Sequence, residues 1–135
     1  MPFAVAAFTF GLGCIMLCAD HTPDAKSYNS YWVEFAKIAL FNLQLENFSL
    51  QFNLANLRYR IVQHDLDMAI SKSNLQAQRA QIRYDANLAI QTLKEATVAL
   101  DYLEDTGRLP ASSINQKQLQ VNKLSKALRE FLEGF

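Results

Sequence analysis

Glycine and proline are scarce in this chain of 135 residues, and neither occurs between Asp24 and Thr106. The whole sequence has four glycines, three prolines and two cysteines. Because glycine and proline interrupt regular structure, their absence predicts a long helical region over residues 31–105. The sequence also has no glycine-rich phosphate-binding loop, no Ser-His-Asp pattern and no cysteine framework for disulfides or metal. We therefore expect no catalytic residue, no cofactor and no metal, and a protein that is not an enzyme.

Charge is sparse and balanced. Lys plus Arg and Asp plus Glu number 13 each, the net charge is zero, and charged residues make up 19%. Such a balance gives no bulk attraction to nucleic acid or anionic lipid. Solubility depends instead on the Asn and Gln side chains spread over residues 41–122. These amides indicate either a polar helix face or a neutral polar surface shared with other subunits or lining a channel.

Apolar residues recur at alternating spacings of three and four, which is typical of a helix face that packs on a partner. The first stripe comprises Ile38, Phe41, Leu45, Phe48, Phe52, Ala55, Tyr59, Val62, Leu66 and Ala69. A second stripe beside it comprises Leu40, Leu43, Asn47, Leu50, Leu54, Leu57, Ile61, His64 and Met68. Together the two stripes make a wide apolar face, which predicts more than one neighbouring element. We expect the first stripe to contact oligomer or partner subunits.

A strand interpretation competes between Phe41 and Val62. Apolar and polar residues also alternate there, with phase slips at Asn47 and Asn56 where turns would lie. Neither turn contains glycine, and β-branched residues are few, whereas Leu, Gln, Ala and Arg favour helix. The sequence therefore favours helix and leaves a short alternating β segment at 41–62 as the alternative.

The N-terminal segment Phe3–Ala19 carries no charged side chain. Its large apolar residues are Phe3, Phe8, Phe10, Leu12, Ile15 and Leu17. Its 17 residues are at the short limit for a membrane-spanning helix. The alternatives are a cleaved signal peptide, a retained membrane anchor and a segment buried among identical copies. Leu17 fits a cleavage site after Ala19 poorly, and no Lys or Arg precedes the segment, so retention is favoured.

Within that segment, Cys14 and Cys18 are interpreted as apolar filler, with lipid attachment as the alternative. Residues 20–30 form a polar connector in which Thr22 or Asp24 is a candidate helix cap. The aromatic residues that follow, Tyr28, Tyr31 and Trp32, fit either a membrane-interface belt or ordinary core contacts.

The long helical region 31–105 is predicted to bend at Ser71–Asn74, where the first stripe ends. This gives either two helices or one kinked helix. A third stripe then comprises Ile82, Ala86, Ala89, Leu93, Ala96, Leu100 and Leu103. Ile82, Leu93 and Leu100 are its large members and are also expected to contact partners. Its alanines predict close approach to a neighbouring helix.

Residues 106–112 are predicted to form a loop, because Gly107 suits a helix C-terminus and Pro110 prevents continuation. Ser113 and Gln116 have the spacing of a capping box. They predict a C-terminal amphipathic helix over residues 113–133. Its apolar face would contain Val121, Leu124, Leu128 and Phe131 or Leu132.

Polar clusters give little sign of chemistry. His64, Asp65 and Asp67 project in different directions on a helix and so do not form a metal site. Arg79 and Arg83 share a helix face and, with Arg58 and Arg60, have the charge to contact phosphate. In a chain with as many acidic residues as basic ones, a solvated or salt-bridging role is favoured.

The uncharged segment Phe3–Ala19 precedes long helices whose Gln- and Ala-rich part runs from Leu75 to Leu103. This layout resembles the small internal virion (ejection) proteins of short-tailed, T7-like phages. The resemblance covers most of the chain without a diagnostic motif. It implies an oligomer that inserts in the host outer membrane and forms part of a DNA conduit, so nucleic acid is a partner only in that case. It assigns no role to any individual residue.

Three hypotheses of function follow. The first is a structural subunit of a homo-oligomeric, membrane-associated assembly. Its partners would be identical copies and other assembly subunits, and it would be located at a membrane or in a virion. The second is a single-copy accessory subunit of a multi-protein membrane complex. The third is an exported, signal-cleaved helical binding protein.

Overall fold

The computed structural model describes residues 25–135, with burial described from Asn29 onward. These residues form three α-helices: α1 (Ala25–Ser71), α2 (Leu75–Thr106) and α3 (Ala111–Glu133). Residues 25–135 contain no strand, and the mainly α fold expected from the sequence is confirmed. The predictions for Phe3–Ala19, the two cysteines and the Thr22 or Asp24 cap lie outside the described residues.

Residues 41–62 lie within α1, so the alternative of a short β segment there is wrong. The helix-favouring Leu, Gln, Ala and Arg residues of this stretch outweigh its apolar alternation. α1 also begins at Ala25, inside the connector predicted for residues 20–30. No glycine or proline follows Pro23 until Gly107, so nothing local prevents the helix from starting this early.

α1 and α2 are separated by Lys72, Ser73 and Asn74, inside the polar tetrapeptide where the sequence predicted a bend. Ser73 has a φ of 55°, a left-handed conformation that residues with short polar side chains adopt at modest cost. The main-chain N–H groups of Lys72 and Asn74 donate to the carbonyl oxygens of Met68 and Ala69, both at 3.0 Å. These bonds satisfy carbonyl groups that would otherwise be unpaired at the end of α1.

The chain divides into two compact units, with the boundary between Asn47 and Phe48. The second unit contains the core, to which all three helices contribute. Its buried apolar residues are Phe48, Ala55, Val62, Ala69, Ile82, Ala86, Ala89, Leu93, Ala96, Ala99, Leu100, Leu103, Ile114, Val121, Leu124 and Leu128. One cluster joins Val62 and Ala69 of α1 to Ile82 and Ala86 of α2. Because only three residues connect the two helices and this cluster joins them, α1 and α2 run antiparallel in this unit.

α2 packs through the third stripe, all seven residues of which are buried. Three of these residues are alanines, which let the neighbouring helices approach closely. α3 closes the core: the Phe131 ring meets Tyr59 of α1 edge-on, with centroids 6.4 Å apart. Phe131 also stacks on Phe135 with a centroid separation of 5.4 Å. Both Phe131 and Leu132 pack against the α1–α2 cluster.

The loop between α2 and α3 differs in part from its prediction. Gly107 ends α2 in the left-handed conformation, with φ 65° and its N–H donated to the Glu104 carbonyl oxygen. The capping box at Ser113 and Gln116 does not form, because α3 begins at Ala111 and has no side-chain cap. Pro110 is the N-cap, with φ −58° and ψ 146°. Its fixed φ places the chain at the helix entry earlier than Ser113 would.

Candidate functional site

The part of α1 that belongs to the second unit carries an apolar surface that this unit does not cover. We call it the exposed stripe: Leu50, Leu54, Leu57, Ile61 and Met68, all from the second stripe. Leu54 is half-buried, while Leu50, Leu57, Ile61 and Met68 are 49%, 53%, 48% and 40% exposed. At about 100° per residue, Leu57 lies about 180° around the helix from the buried Phe48. The stripe therefore faces away from the core and extends over about 27 Å of helix.

The first stripe occupies the other side of α1. Phe48 and Val62 are 4% and 1% exposed, and Phe52, Tyr59 and Leu66 are half-buried. Phe52 stacks on Phe48 with a centroid separation of 6.0 Å. These side chains lie in the core of the chain itself.

The remaining residues predicted to contact partners fall into two groups that differ in burial. Ile82, Leu93 and Leu100 of the third stripe are buried in the same core, at 2%, 4% and 0% exposed. Phe41 and Leu45 are half-buried and Ile38 is 47% exposed; these three belong to the unit that ends at Asn47. The residues of the first and third stripes within the second unit are thus occupied by contacts inside the chain.

The unit that ends at Asn47 has its own exposed apolar side chains. Tyr31, Val33, Ile38 and Leu40 are 61%, 52%, 47% and 39% exposed. At about 100° per residue, Tyr31 and Ile38 share one side of α1, and Val33 and Leu40 share nearly the opposite side. Trp32 meets Phe35 edge-on with centroids 5.9 Å apart. Helical segments that are apolar on several sides are usually covered by other elements.

Two flanks border the exposed stripe, and they differ. On the side toward α2, the Arg58 guanidinium donates a hydrogen bond to the Thr92 hydroxyl. Thr92 in turn donates to the Leu88 carbonyl oxygen at 2.9 Å. Asp65 on the same side is half-buried. This flank is engaged with the chain's own α2.

On the opposite flank, Arg60 and Asp67 are exposed. They are seven residues apart, and each directly precedes an apolar residue of the exposed stripe. Neither makes a hydrogen bond or ion pair with another side chain of residues 25–135. This flank thus presents one positive and one negative charge, two helical turns apart, to the solvent. Sequence reasoning missed the pair, although its spacing relative to Ile61 and Met68 was visible.

A second polar arrangement joins α2 to the last residue. Arg79 Nε and Arg83 Nη2 donate to the main-chain oxygen of Phe135 at 2.9 and 2.7 Å. The Arg79 guanidinium carbon also lies 5.2 Å from the centroid of the Phe135 ring. The sequence favoured a solvated or salt-bridging role for these two arginines over contact with phosphate; in the structure both donate to the backbone of Phe135. Their shared helix face could be seen in the sequence, but this acceptor could not.

Other chemistry is sparse in the described part of the chain. His64 is exposed, and its Nδ1 lies 3.9 Å from a carboxylate oxygen of Asp65. No group of three or more His, Cys, Asp or Glu side chains within residues 25–135 is placed to hold a metal ion. An open cleft of about 260 Å³ lies beside the α1–α2 turn, and a more open one of about 560 Å³ lies on the same turn. Asn74 Oδ1, on its wall, is buried without a partner among these residues.

Comparison with known proteins finds no matching family model, no matching curated protein and no matching solved structure. Among the helices of residues 25–135, none has an apolar stretch long enough to cross a bilayer.

Proposed function

We propose that this chain is a non-enzymatic structural subunit of a homo-oligomeric, membrane-associated assembly. The observation that carries the proposal is the exposed stripe, which lies on the side of α1 away from the core. An aligned row of large apolar side chains in water is unfavourable, because each buried CH₂ group contributes about 0.8 kcal/mol. Contiguous apolar patches of this kind mark interaction sites. Folding of the single chain leaves the exposed stripe in water, whereas a partner that covers it would bury these side chains.

The unit that ends at Asn47 supports the same proposal independently. Tyr31 and Ile38 on one side, and Val33 and Leu40 on nearly the other, are at least 39% exposed. One partner on one side would leave the other set in water. An assembly in which several copies surround this segment covers both sides.

The membrane part of the proposal depends on the sequence of Phe3–Ala19. Its lack of charge suits a lipid-inserted anchor, or a segment packed among identical copies. The layout shared with phage ejection proteins gives the proposal a specific form, a subunit of a DNA-translocating conduit in a virion. In that form the neutral amide side chains would suit a channel lining that does not retain DNA by charge.

The experiment is native mass spectrometry of the full-length chain, released from mild detergent. A closed oligomer of defined copy number that retains residues 1–19 is the expected result. A monomer that keeps its N-terminus would contradict homo-oligomerisation and favour a single-copy accessory subunit. A species that begins near Asp20 would contradict membrane retention and favour an exported binding protein.

A separate experiment tests the proposal that the assembly is a DNA-translocating conduit. The oligomer is reconstituted into liposomes that contain an entrapped DNA-binding dye, and short duplex DNA is added outside. Dye fluorescence should rise with the chain present and stay at baseline in protein-free liposomes. An oligomer that inserts without admitting DNA would contradict the conduit while leaving the structural subunit intact.

A further inference from the structure

We propose that the exposed stripe pairs with the same stripe of a second copy, in antiparallel orientation, so that Arg60 meets the partner's Asp67. The inference rests on the proposed homo-oligomer and specifies how two of its copies meet. It commits to self-pairing because the charges beside the stripe complement each other when the stripe faces itself.

The exposed stripe has a regular spacing along α1. Leu54, Ile61 and Met68 are seven residues apart, and Leu50 and Leu57 form the intervening set. This is the heptad pattern by which two helices pack along a shared line. Residues next to the core positions of such a pair face the other helix and determine its orientation. Arg60 and Asp67 occupy equivalent positions of this kind, one heptad apart.

The two flanks of the exposed stripe differ in how far the chain itself covers them. Arg58 is hydrogen-bonded to Thr92 of the same chain, and Asp65 is half-buried on that side. The flank with Arg60 and Asp67 is exposed. In an antiparallel helix pair each flank meets the same flank of the partner, whereas in a parallel pair it meets the other flank. The antiparallel arrangement is the one that brings the exposed flank against itself.

Two copies that pair through the same stripe are related by a twofold axis. In a twofold interface, if one residue contacts a second, the second contacts the first across the axis. Arg60 thus pairs with the partner's Asp67, and Asp67 pairs with the partner's Arg60. Because the net charge of the chain is zero, two copies approach without overall repulsion. The self-complementary pair then selects the orientation.

The same charges select the register. With Arg60 against the partner's Asp67, Leu57 lies opposite the partner's Met68 and Ile61 lies opposite the partner's His64. Sliding one helix by a heptad would align more of the apolar stripe, but it would place Arg60 against the partner's Arg60. Like charges in register are unfavourable. The contact is short, so we expect weak pairing at each interface and strength from repetition in the assembly.

The experiment is a charge-reversal cycle on the full-length chain in mild detergent, followed by sedimentation over a range of protein concentrations. Arg60→Glu and Asp67→Arg should each weaken self-association about fivefold, since each replaces two attractions by two repulsions. The double variant should regain wild-type association, because the pair is restored with its signs exchanged. Thermal melts should show all three variants folded, as both positions are exposed.

Other outcomes separate the two proposals. If the wild type associates but the double variant stays as weak as the single variants, the antiparallel pairing is wrong and the homo-oligomer stands. If the wild type is monomeric throughout, the homo-oligomer fails and the pairing with it. If reversal of either charge leaves association unchanged, the register is wrong.

Disulfide crosslinking gives a second, independent readout of orientation. In a chain with Cys14 and Cys18 replaced by Ser, a Leu57→Cys copy is mixed with a differently tagged Met68→Cys copy. Oxidation should join unlike copies faster than like copies. Faster joining of two Leu57→Cys copies would indicate parallel pairing and overturn the inference.

Discussion

Ile61 and Val62 are adjacent β-branched residues whose side chains leave α1 about 100° apart, yet Ile61 is 48% exposed, whereas Val62 is 1% exposed. Val62 lies in the cluster that joins α1 to α2, and Ile61 lies in the exposed stripe. One helix therefore serves two purposes. Its inner side stabilises the chain, and its outer side is proposed to join copies.

This difference in burial predicts unequal effects on the free energy of unfolding. Val62→Ala should lower the free energy of unfolding by about 1–3 kcal/mol, because it removes buried methyl groups and leaves a cavity. Ile61→Ala should change it by less than about 0.5 kcal/mol at concentrations where the chain is monomeric. Urea unfolding measured by circular dichroism checks both variants. An Ile61→Ala loss equal to that of Val62→Ala would contradict the assignment of the two sides.

The hydrogen bond between Arg58 and Thr92 predicts coupled effects. A double-mutant cycle with Arg58→Met and Thr92→Val should give a coupling energy of about 0.5–1.5 kcal/mol, the usual net value of such a bond. Each single variant should destabilise, because it leaves a polar group without its partner. The free energies of unfolding of the four proteins provide the measurement. Strictly additive losses would show that the bond does not contribute.

Arg79 is predicted to hold the end of α3 in place. Arg79→Ala removes its hydrogen bonding to Phe135 and the contact with its ring, and should reduce the free energy of unfolding by about 1–2 kcal/mol. Arg129→Ala is the matched control, since Arg129 is exposed and bonds only weakly to Ser125, at 3.4 Å. Faster amide exchange over residues 131–135 in Arg79→Ala, but not in the control, would locate the effect.

Glycine is predicted to be required at position 107 because of its left-handed backbone conformation, not because a side chain would clash there. A Cβ at this position would meet no atom within 4 Å, and φ is +65°. Gly107→Ala should therefore destabilise by about 1–2 kcal/mol through strain alone, and Gly107→Asn by less, because Asn tolerates this conformation. Thermal unfolding of both variants is the measurement. Equal losses for Ala and Asn would contradict a purely conformational cause.

The sequence was most informative where local chemistry decides the structure. The helical spacing of the third stripe predicted seven residues that are all buried, and the left-handed Gly107 was visible from its type and position. The start of α3 was misjudged because Ser113 and Gln116 matched a capping pattern that Pro110 pre-empts. Pro110 and the Ser113–Gln116 pattern each indicate a start for α3, and the sequence alone does not show which of the two is used.

Which apolar stripe faces inward could not be read from the sequence. Both stripes on α1 have the spacing of a packed face, and their large side chains are similar in size. The choice depends on where α2 and α3 return, which is set by the Lys72–Asn74 turn and by contacts such as that of Phe131 with Tyr59. These are non-local, so the exposed stripe and its Arg60–Asp67 flank emerged only from the folded chain.

The most direct test of the account is the self-association of Leu57→Glu, measured by sedimentation velocity alongside the wild type and Leu119→Glu. Leu57 and Leu119 are both exposed, at 53% and 69%, but only Leu57 lies in the exposed stripe. Leu57→Glu should be folded and sediment at lower mass than the wild type, while Leu119→Glu should sediment like the wild type. Association of Leu57→Glu as strong as that of the wild type would contradict a role for the stripe in joining copies.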